Sequence, residues 1–330
     1  MNFSFIIPVY NRPEETKELL ESLALQSDLD FEIVIIEDGS TITSEEIVKS
    51  FQSKLNISYL FKENTGPGDS RNYGMKRASG DYFIILDSDC ILPTTYFENV
   101  KKGLNQDYVD CFGGPDKALD SFSDVQKAIN YAMTSFFTTG GIRGGSEKLE
   151  KFQPRSFNMG LSKKAFEESK GFGNIHPGED PDLSIRLWKK GYKTTLIKEA
   201  FVYHKRRIDW NKFFTQVNKF GKARPILDSW YPEYSKITFW FPSLFLFGIL
   251  FAFIMTFFQF YLPLIILFVY FLMLLIDSTL KNKSLKVGVL SVLATFIQFY
   301  GYGKGFLISF IRIKLMKLEP KKAFPELFFK

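Results

Sequence analysis

The N-terminal part of the chain alternates two kinds of hydrophobic pattern. Phe3–Val9 is a compact apolar run that ends among Pro8, Tyr10, Asn11 and Pro13, and residues 14–25 then place Leu19, Leu20 and Leu23 at helical spacing. The pattern repeats with an apolar run at 31–36 closed by Asp38-Gly39-Ser40, a helical stretch over 45–55 and a strand at 57–61. A further helix over 68–78 leads to a buried strand at 82–86, which runs straight into Asp87-Ser88-Asp89. Continuous apolar strands separated by helices predict βαβ units, an α/β domain and a mostly parallel sheet. Ligands bind such sheets at the carboxyl ends of the strands. Tyr10-Asn11, Glu37-Asp38 and Asp87–Asp89 all fall at those ends.

The pattern changes after Lys236. Residues 237–276 are forty positions without a charge, enough for two membrane passes of about 20 residues each, with Pro263 expected at the turn between them. A third stretch, 287–303, carries Gln298 and several glycines and is followed by Lys304. Crossing, re-entering or lying in the interface all fit it. Much of the aromatic excess, 17% with 37 Phe, belongs to this region. The expected division is therefore 1–235 and 236–330, the latter a hairpin over 237–276, a third segment over 287–311 and a basic tail.

The net charge of +6 concentrates beside the apolar stretches, which favours membrane lipids and phosphate over nucleic acid. The basic clusters flanking the spans place the N-terminal domain and the tail in the cytosol, at the cytoplasmic membrane, with 287–311 then not crossing. No charged-then-apolar leader opens the chain, which agrees with a cytosolic domain. Cys90 and Cys111 are too few for a disulfide framework and are expected to be buried thiols. Residues 143–155 are charged and glycine-rich and read as a mobile loop beside the site.

Candidate chemistry lies at the strand ends. Asp87 and Asp89 flank one residue and can hold a hard divalent cation beside a diphosphate, although a polar turn after a strand has the same pattern. Asp38 is either a turn former or an acceptor for a base hydrogen, and Arg71 either a phosphate fork or a solvated helix residue. Glu179-Asp180-Pro181 offers a second acid pair, with Asp180 a general base, a helix N-cap, or both. His204 precedes Lys205-Arg206-Arg207 and can ligate a metal or touch diphosphate, whereas His176 is placed less favourably. Residues 216–224 read as a basic amphipathic helix on a membrane surface, and Arg206, Arg207 and Arg224 equally as an anion clamp.

Ile6-Ile7-Pro8-Val9-Tyr10-Asn11, Glu37-Asp38-Gly39-Ser40, Asn64 to Gly66 with Arg71-Asn72 and Gly74, Gly80-Asp81-Tyr82 and Leu86-Asp87-Ser88-Asp89 together resemble the family 2 glycosyltransferases of GT-A fold over about residues 3–225. The resemblance implies a nucleotide-sugar donor, a UDP-sugar first, with Pro8, Tyr10, Asn11, Asp38, Arg71, Asp87, Ser88 and Asp89 around it. It implies Mn2+ or Mg2+ on Asp89, Asp180 as the base of a single inverting transfer, and Asn158 beside the donor and acceptor sites with Glu179. The acceptor would be a glycan or lipid-linked hydroxyl in cell-envelope polysaccharide synthesis. Gln216-Val217-Asn218-Lys219-Phe220 resembles a degraded form of the QxxRW motif, which speaks against processive synthesis. A polyprenyl-phosphate sugar synthase and a non-catalytic glycan-binding scaffold are the rival readings.

Overall fold

The computed structural model describes residues 1–140, 151–205 and 209–329. Contacts divide the chain into two units, one of residues 1–117, 145–205 and 328–330, the other of residues 118–144 and 206–327.

The first unit opens with β1 (Phe3–Val9), α1 (Pro13–Ala24), β2 (Phe31–Asp38), α2 (Glu45–Phe51), β3 (Ile57–Lys62), α3 (Pro67–Met75) and β4 (Tyr82–Leu86). Then come β5 (Cys90–Ile91), α4 (Tyr96–Gln106), β6 (Cys111–Gly113) and β7 (Asp116–Lys117). The chain passes through α5 (Asp124–Thr134) and α6 (Phe136–Thr139) of the second unit before returning. It returns as β8 (Asn158–Ser162), α7 (Lys163–Ser169), α8 (Glu179–Lys189), β9 (Thr194–Leu196) and β10 (Val202–His204). Seven strands form one sheet in the order β3-β2-β1-β4-β8-β6-β9, and β5, β10 and β7 form a small second sheet. The pairs β1–β2, β1–β4 and β2–β3 are parallel, as the apolar runs predict, while β8 is antiparallel to both of its neighbours. Strands β1, β2 and β4 are buried on both faces, with Phe5, Ile7, Ile33, Ile35, Ile84 and Leu86 on one side and Ile6, Val34, Ile36, Phe83 and Ile85 on the other. Helices cover both faces, which is why these strands read as unbroken apolar runs rather than alternating ones.

In the second unit, α9 (Trp210–Trp230), α10 (Phe241–Phe257), α11 (Leu262–Asn282) and α12 (Leu285–Phe310) are followed by a short α13 (Pro320–Ala323). The helices 237–257, 262–282 and 285–315 are each long and apolar enough to cross a membrane. Exposed Phe247, Phe251, Phe257, Ile266 and Phe268 give α10 and α11 an apolar exterior that lipid suits. The turn expected at Pro263 occupies 258–261 instead. Pro263 sits in the first turn of α11, where its missing N–H is no loss. The third apolar stretch is one uninterrupted helix of 26 residues.

Helix α9 does not rest on an open surface. Its buried Phe213, Val217 and Gly221 pack along α12, and a Cβ at Gly221 would overlap the Tyr302 carbonyl. On α12, Gly301 faces Val217 and Gly305 faces the Asn218 carbonyl. Small residues four apart let two helix backbones approach closely.

Candidate active site

The turn after β1, the turn after β4, α3, the first turn of α8 and the end of β10 place charged side chains in the first unit. Arg71 is the hub on the α3 side. Its side chain is 3% exposed, Nη2 donates to Asp87 Oδ1 at 2.7 Å, and Nη1 donates to Glu179 Oε1 at 3.3 Å. The Phe172 ring lies against the guanidinium at 5.3 Å. The sequence places Arg71 on phosphate or on a solvated face, whereas the fold buries it between two carboxylates. An always-charged fork in a buried place has to be paired in this way.

His176 Nδ1 lies 2.8 Å from the same Glu179 oxygen. Burial alone would raise the Glu179 carboxyl, but His176 and Arg71 overcome it and hold the group below the usual carboxylate range. Asp180 goes the other way. Burial first, then the neighbouring Glu179 charge, raise it, and Arg71 and Arg155 offset this only in part. Its Oδ1 is buried without a hydrogen-bond partner among the described residues. Asp180 is also not the N-cap. Gly178, at φ +130°, takes that position and Glu179 opens the helix, because the chain enters α8 through a conformation that disfavours a Cβ.

Asp89 lies on the other flank. Oδ2 accepts from Arg12 Nη1 at 2.6 Å and Oδ1 lies 3.1 Å from His204 Nε2. The His204 ring stacks on Phe157 at 4.8 Å, and its Nδ1 is 4.0 Å from Asp116 Oδ2. Among the described residues, one oxygen of Asp89, the Cys90 thiol and one His204 nitrogen lie within 4.8 Å of one another. Carboxylate suits a hard divalent cation, and imidazole beside it favours a borderline transition-metal ion over Mg2+. The thiol suits a hard cation less, and it is fully buried and directed at the Phe157 carbonyl at 3.4 Å. Asp89 and His204 therefore fit a divalent cation, and Asp116 lies 4.0 Å from the other ring nitrogen of His204, beyond hydrogen-bond distance. Asp87, taken from the sequence as a second ligand, lies outside this cluster and is held by Arg71.

At the end of β2 the acids are enclosed. Glu37 accepts from Ser40 Oγ, from Ser44 N and Oγ at 2.9 and 2.6 Å, and from Tyr59 OH at 3.1 Å. Asp38 accepts from Lys62 Nζ at 2.6 Å and from the amides of Thr65 and Gly66, each at 3.0 Å. Asn11, in the left-handed region at φ 52°, accepts from the amides of Thr41 and Ile42 at 2.9 and 3.0 Å. Tyr10 is exposed, Pro8 half-buried and Ser88 buried. Asn158 is fully buried, taking a bond from Tyr96 OH at 2.6 Å and giving one to the Ala200 carbonyl at 2.8 Å. It thus anchors the start of β8, directly after Phe157.

Gln216 and Arg224 lie on α9 in the second unit, where Arg224 stands over the Phe239 ring at 4.0 Å. Arg206, Arg207 and most of the loop expected at 143–155 lie outside the described residues. Both cysteines are buried thiols outside any disulfide, as expected. Arg12 and Lys62 were not singled out from the sequence. Lys62 ends β3, beside the β2 end that carries Asp38, and Arg12 lies three residues past the end of β1, whose neighbour β4 leads to Asp89; these positions are the signal the sequence offers. The pairing of His176 with Glu179 had no signal beyond a spacing of three.

The sequence profile described as Glycosyl transferase family 2 matches residues 4–169. The poly(ribitol-phosphate) beta-N-acetylglucosaminyltransferase TarS of Staphylococcus aureus (strain Mu50) is 41% identical over 93 residues, 27% of this chain and 16% of that protein. The minor teichoic acid biosynthesis protein GgaB of Bacillus subtilis (strain 168) is 27% identical over 215 residues, 63% of this chain and 23% of that protein. The chain spans from 12% to 34% of the length of relatives such as these. In fold it is similar to the mannosyltransferase PcManGT from Pyrobaculum calidifontis, solved with GDP-Man and Mn2+, at a TM-score of 0.53 and 15% identity over 68% of this chain and 64% of that one. With half of its residues under that profile and a mostly parallel sheet of GT-A type beneath them, the chain belongs to glycosyl transferase family 2.

Proposed function

We propose that this protein is an inverting glycosyltransferase that moves a sugar from a nucleoside diphosphate, a uridine nucleotide first, to a hydroxyl of a cell-envelope glycan or glycolipid. One observation carries the reading. The chain Asp87–Arg71–Glu179 ties the strand end next to Asp89 to the helix turn that presents Asp180. Such a link fixes a donor-side acid and an acceptor-side acid in one rigid network, which is what a direct displacement needs.

Asp180 takes the proton from the acceptor hydroxyl. Its raised pKa brings it toward the range in which a base works well, and Glu179, held ionised by Arg71 and His176, helps to keep it there. Arg12 and His204 hold Asp89 in place. Asp89 and His204 would hold a divalent cation, which when bound offsets the negative charge growing on the departing diphosphate. Support for this comes from the carboxylate and imidazole that lie together, and from the Mn2+ and GDP-Man named with the mannosyltransferase of similar fold. The envelope acceptor is suggested by the names of TarS and GgaB, and a membrane location by the three apolar helices, for which the bacterial cytoplasmic membrane is the proposed site with the catalytic unit in the cytosol.

The test uses the detergent-solubilised chain with a panel of UDP-, GDP- and CDP-linked sugars, following release of nucleoside diphosphate. Turnover that needs Mn2+ or Mg2+ and is lost in Asp89→Ala is expected. Turnover with no sugar of the panel, or equal turnover in excess chelator, would overturn the reading or its metal part respectively.

A further inference from the structure

His176 reaches Glu179 from a loop with two supports. At one end, Asn72 of α3 exchanges a pair of 2.8 Å hydrogen bonds with the Phe172 backbone, Nδ2 to the carbonyl and the amide to Oδ1. At the other, the support is the late segment Phe328–Phe329. Phe328 pairs with Ile175 as an antiparallel bridge, and the Phe329 amide donates to the Asn174 carbonyl at 3.0 Å.

The Phe329 side chain has two further neighbours. Its ring lies 5.7 Å from the His176 ring. It also covers Gly66 so closely that a Cβ there would overlap Cγ and both Cδ atoms. Gly66 is the residue whose amide holds Asp38 Oδ2. Phe329 thus touches both the Asp38 turn and the His176 loop, and with Thr65 and Asn72 it lines a cavity of about 100 Å³. Phe328 and Phe329 belong to the first unit, although the residues up to Leu327 belong to the second.

We infer that Phe328 and Phe329 are positioning residues of the catalytic unit, a strap that fixes the 172–176 loop and so holds His176 on Glu179 beside Asp180. The inference rests on the glycosyltransferase reading for its kinetic consequence, though not for its structural one. A side chain loosened next to a reacting group lowers turnover more than it lowers donor affinity.

The sequence contains two histidines, so histidine-selective NMR of the full-length protein in detergent micelles reports His176 and His204 separately. Phe329→Ala is expected to shift the His176 resonance and leave His204 in place. Turnover with the sugar panel should fall about tenfold or more, with KM for the donor little changed. Phe329→Leu keeps Cγ and both Cδ atoms over Gly66 and should restore most of the turnover. An unmoved His176 resonance overturns the strap. A rise in turnover in Phe329→Ala also overturns it, since the ring would then be a plug. Where no sugar supports turnover in the unaltered protein, it is the glycosyltransferase reading that fails, and the His176 resonance alone decides the strap. If Phe329→Ala does not fold, the chain ended after Leu327 serves for the same two readouts.

Discussion

The dipeptide Glu-Asp occurs at two sites in the first unit, and the fold treats the two differently. At Glu37-Asp38 both carboxylates are buried and supplied with donors, three hydroxyls and an amide for Glu37, a lysine and two amides for Asp38. At Glu179-Asp180 the first acid takes an arginine and a histidine, while the second is left with a buried oxygen that accepts nothing from the described residues. An acid that the fold supplies with several donors steadies a corner. An acid held next to a second negative charge, with capacity left over, is poised to take a proton.

The largest expected difference between the two pairs is kinetic. Asp180→Asn should lower turnover by about a hundredfold to ten-thousandfold, the usual range for a lost general base, with nucleoside diphosphate affinity and the melting temperature nearly unchanged. A retained rate would erase the contrast. It would also point to an acceptor that is already anionic, as in polyprenyl-phosphate transfer.

Next in size is Arg71→Met, which leaves Asp87 and Glu179 without their shared cation. Breaking a buried charge network costs about 3–5 kcal/mol, so a large drop in the denaturant midpoint is expected. An unchanged midpoint would mean that the network is not formed in solution.

A smaller loss should follow Glu37→Gln, about 1–3 kcal/mol from donors left without an ionised acceptor, seen by thermal melting. Its turnover at saturating donor should stay within about twofold, since nothing reacts there. A fall as large as that of Asp180→Asn would show that the two acid pairs are not different in kind.

The most delicate test is the pH profile of turnover. As the proposed base Asp180 would act as its carboxylate, so the rate is expected to rise with pH through a pKa that burial and the Glu179 charge have raised above the usual carboxylate value. Glu179→Gln removes the negative neighbour, favours the carboxylate form and should move the acid limb to lower pH. A limb that stays in place, or moves up, would detach Asp180 from its neighbour.

Local pattern determined a good part of this protein. The parallel strands, the helices between them and the membrane-length helices are legible because burial on both faces of a sheet, or on all sides of a helix in lipid, leaves unbroken apolar runs. Asp87, Asp89 and Asp180 were legible as site candidates because strand ends and a helix start are where a sheet of this kind exposes polar groups. Tertiary structure alone decided what each acid does. Arg71 and Glu179 are 108 positions apart, and Arg12 and Asp89 are 77 apart. No periodicity links residues at such distances, and the partner found there determines whether a carboxylate is neutralised, oriented or left with capacity. The same holds for Phe329, which lies more than 150 positions from His176, and for α9, whose basic face is visible in the sequence while the glycine seam that seats it on α12 appears only when the two helices are brought together.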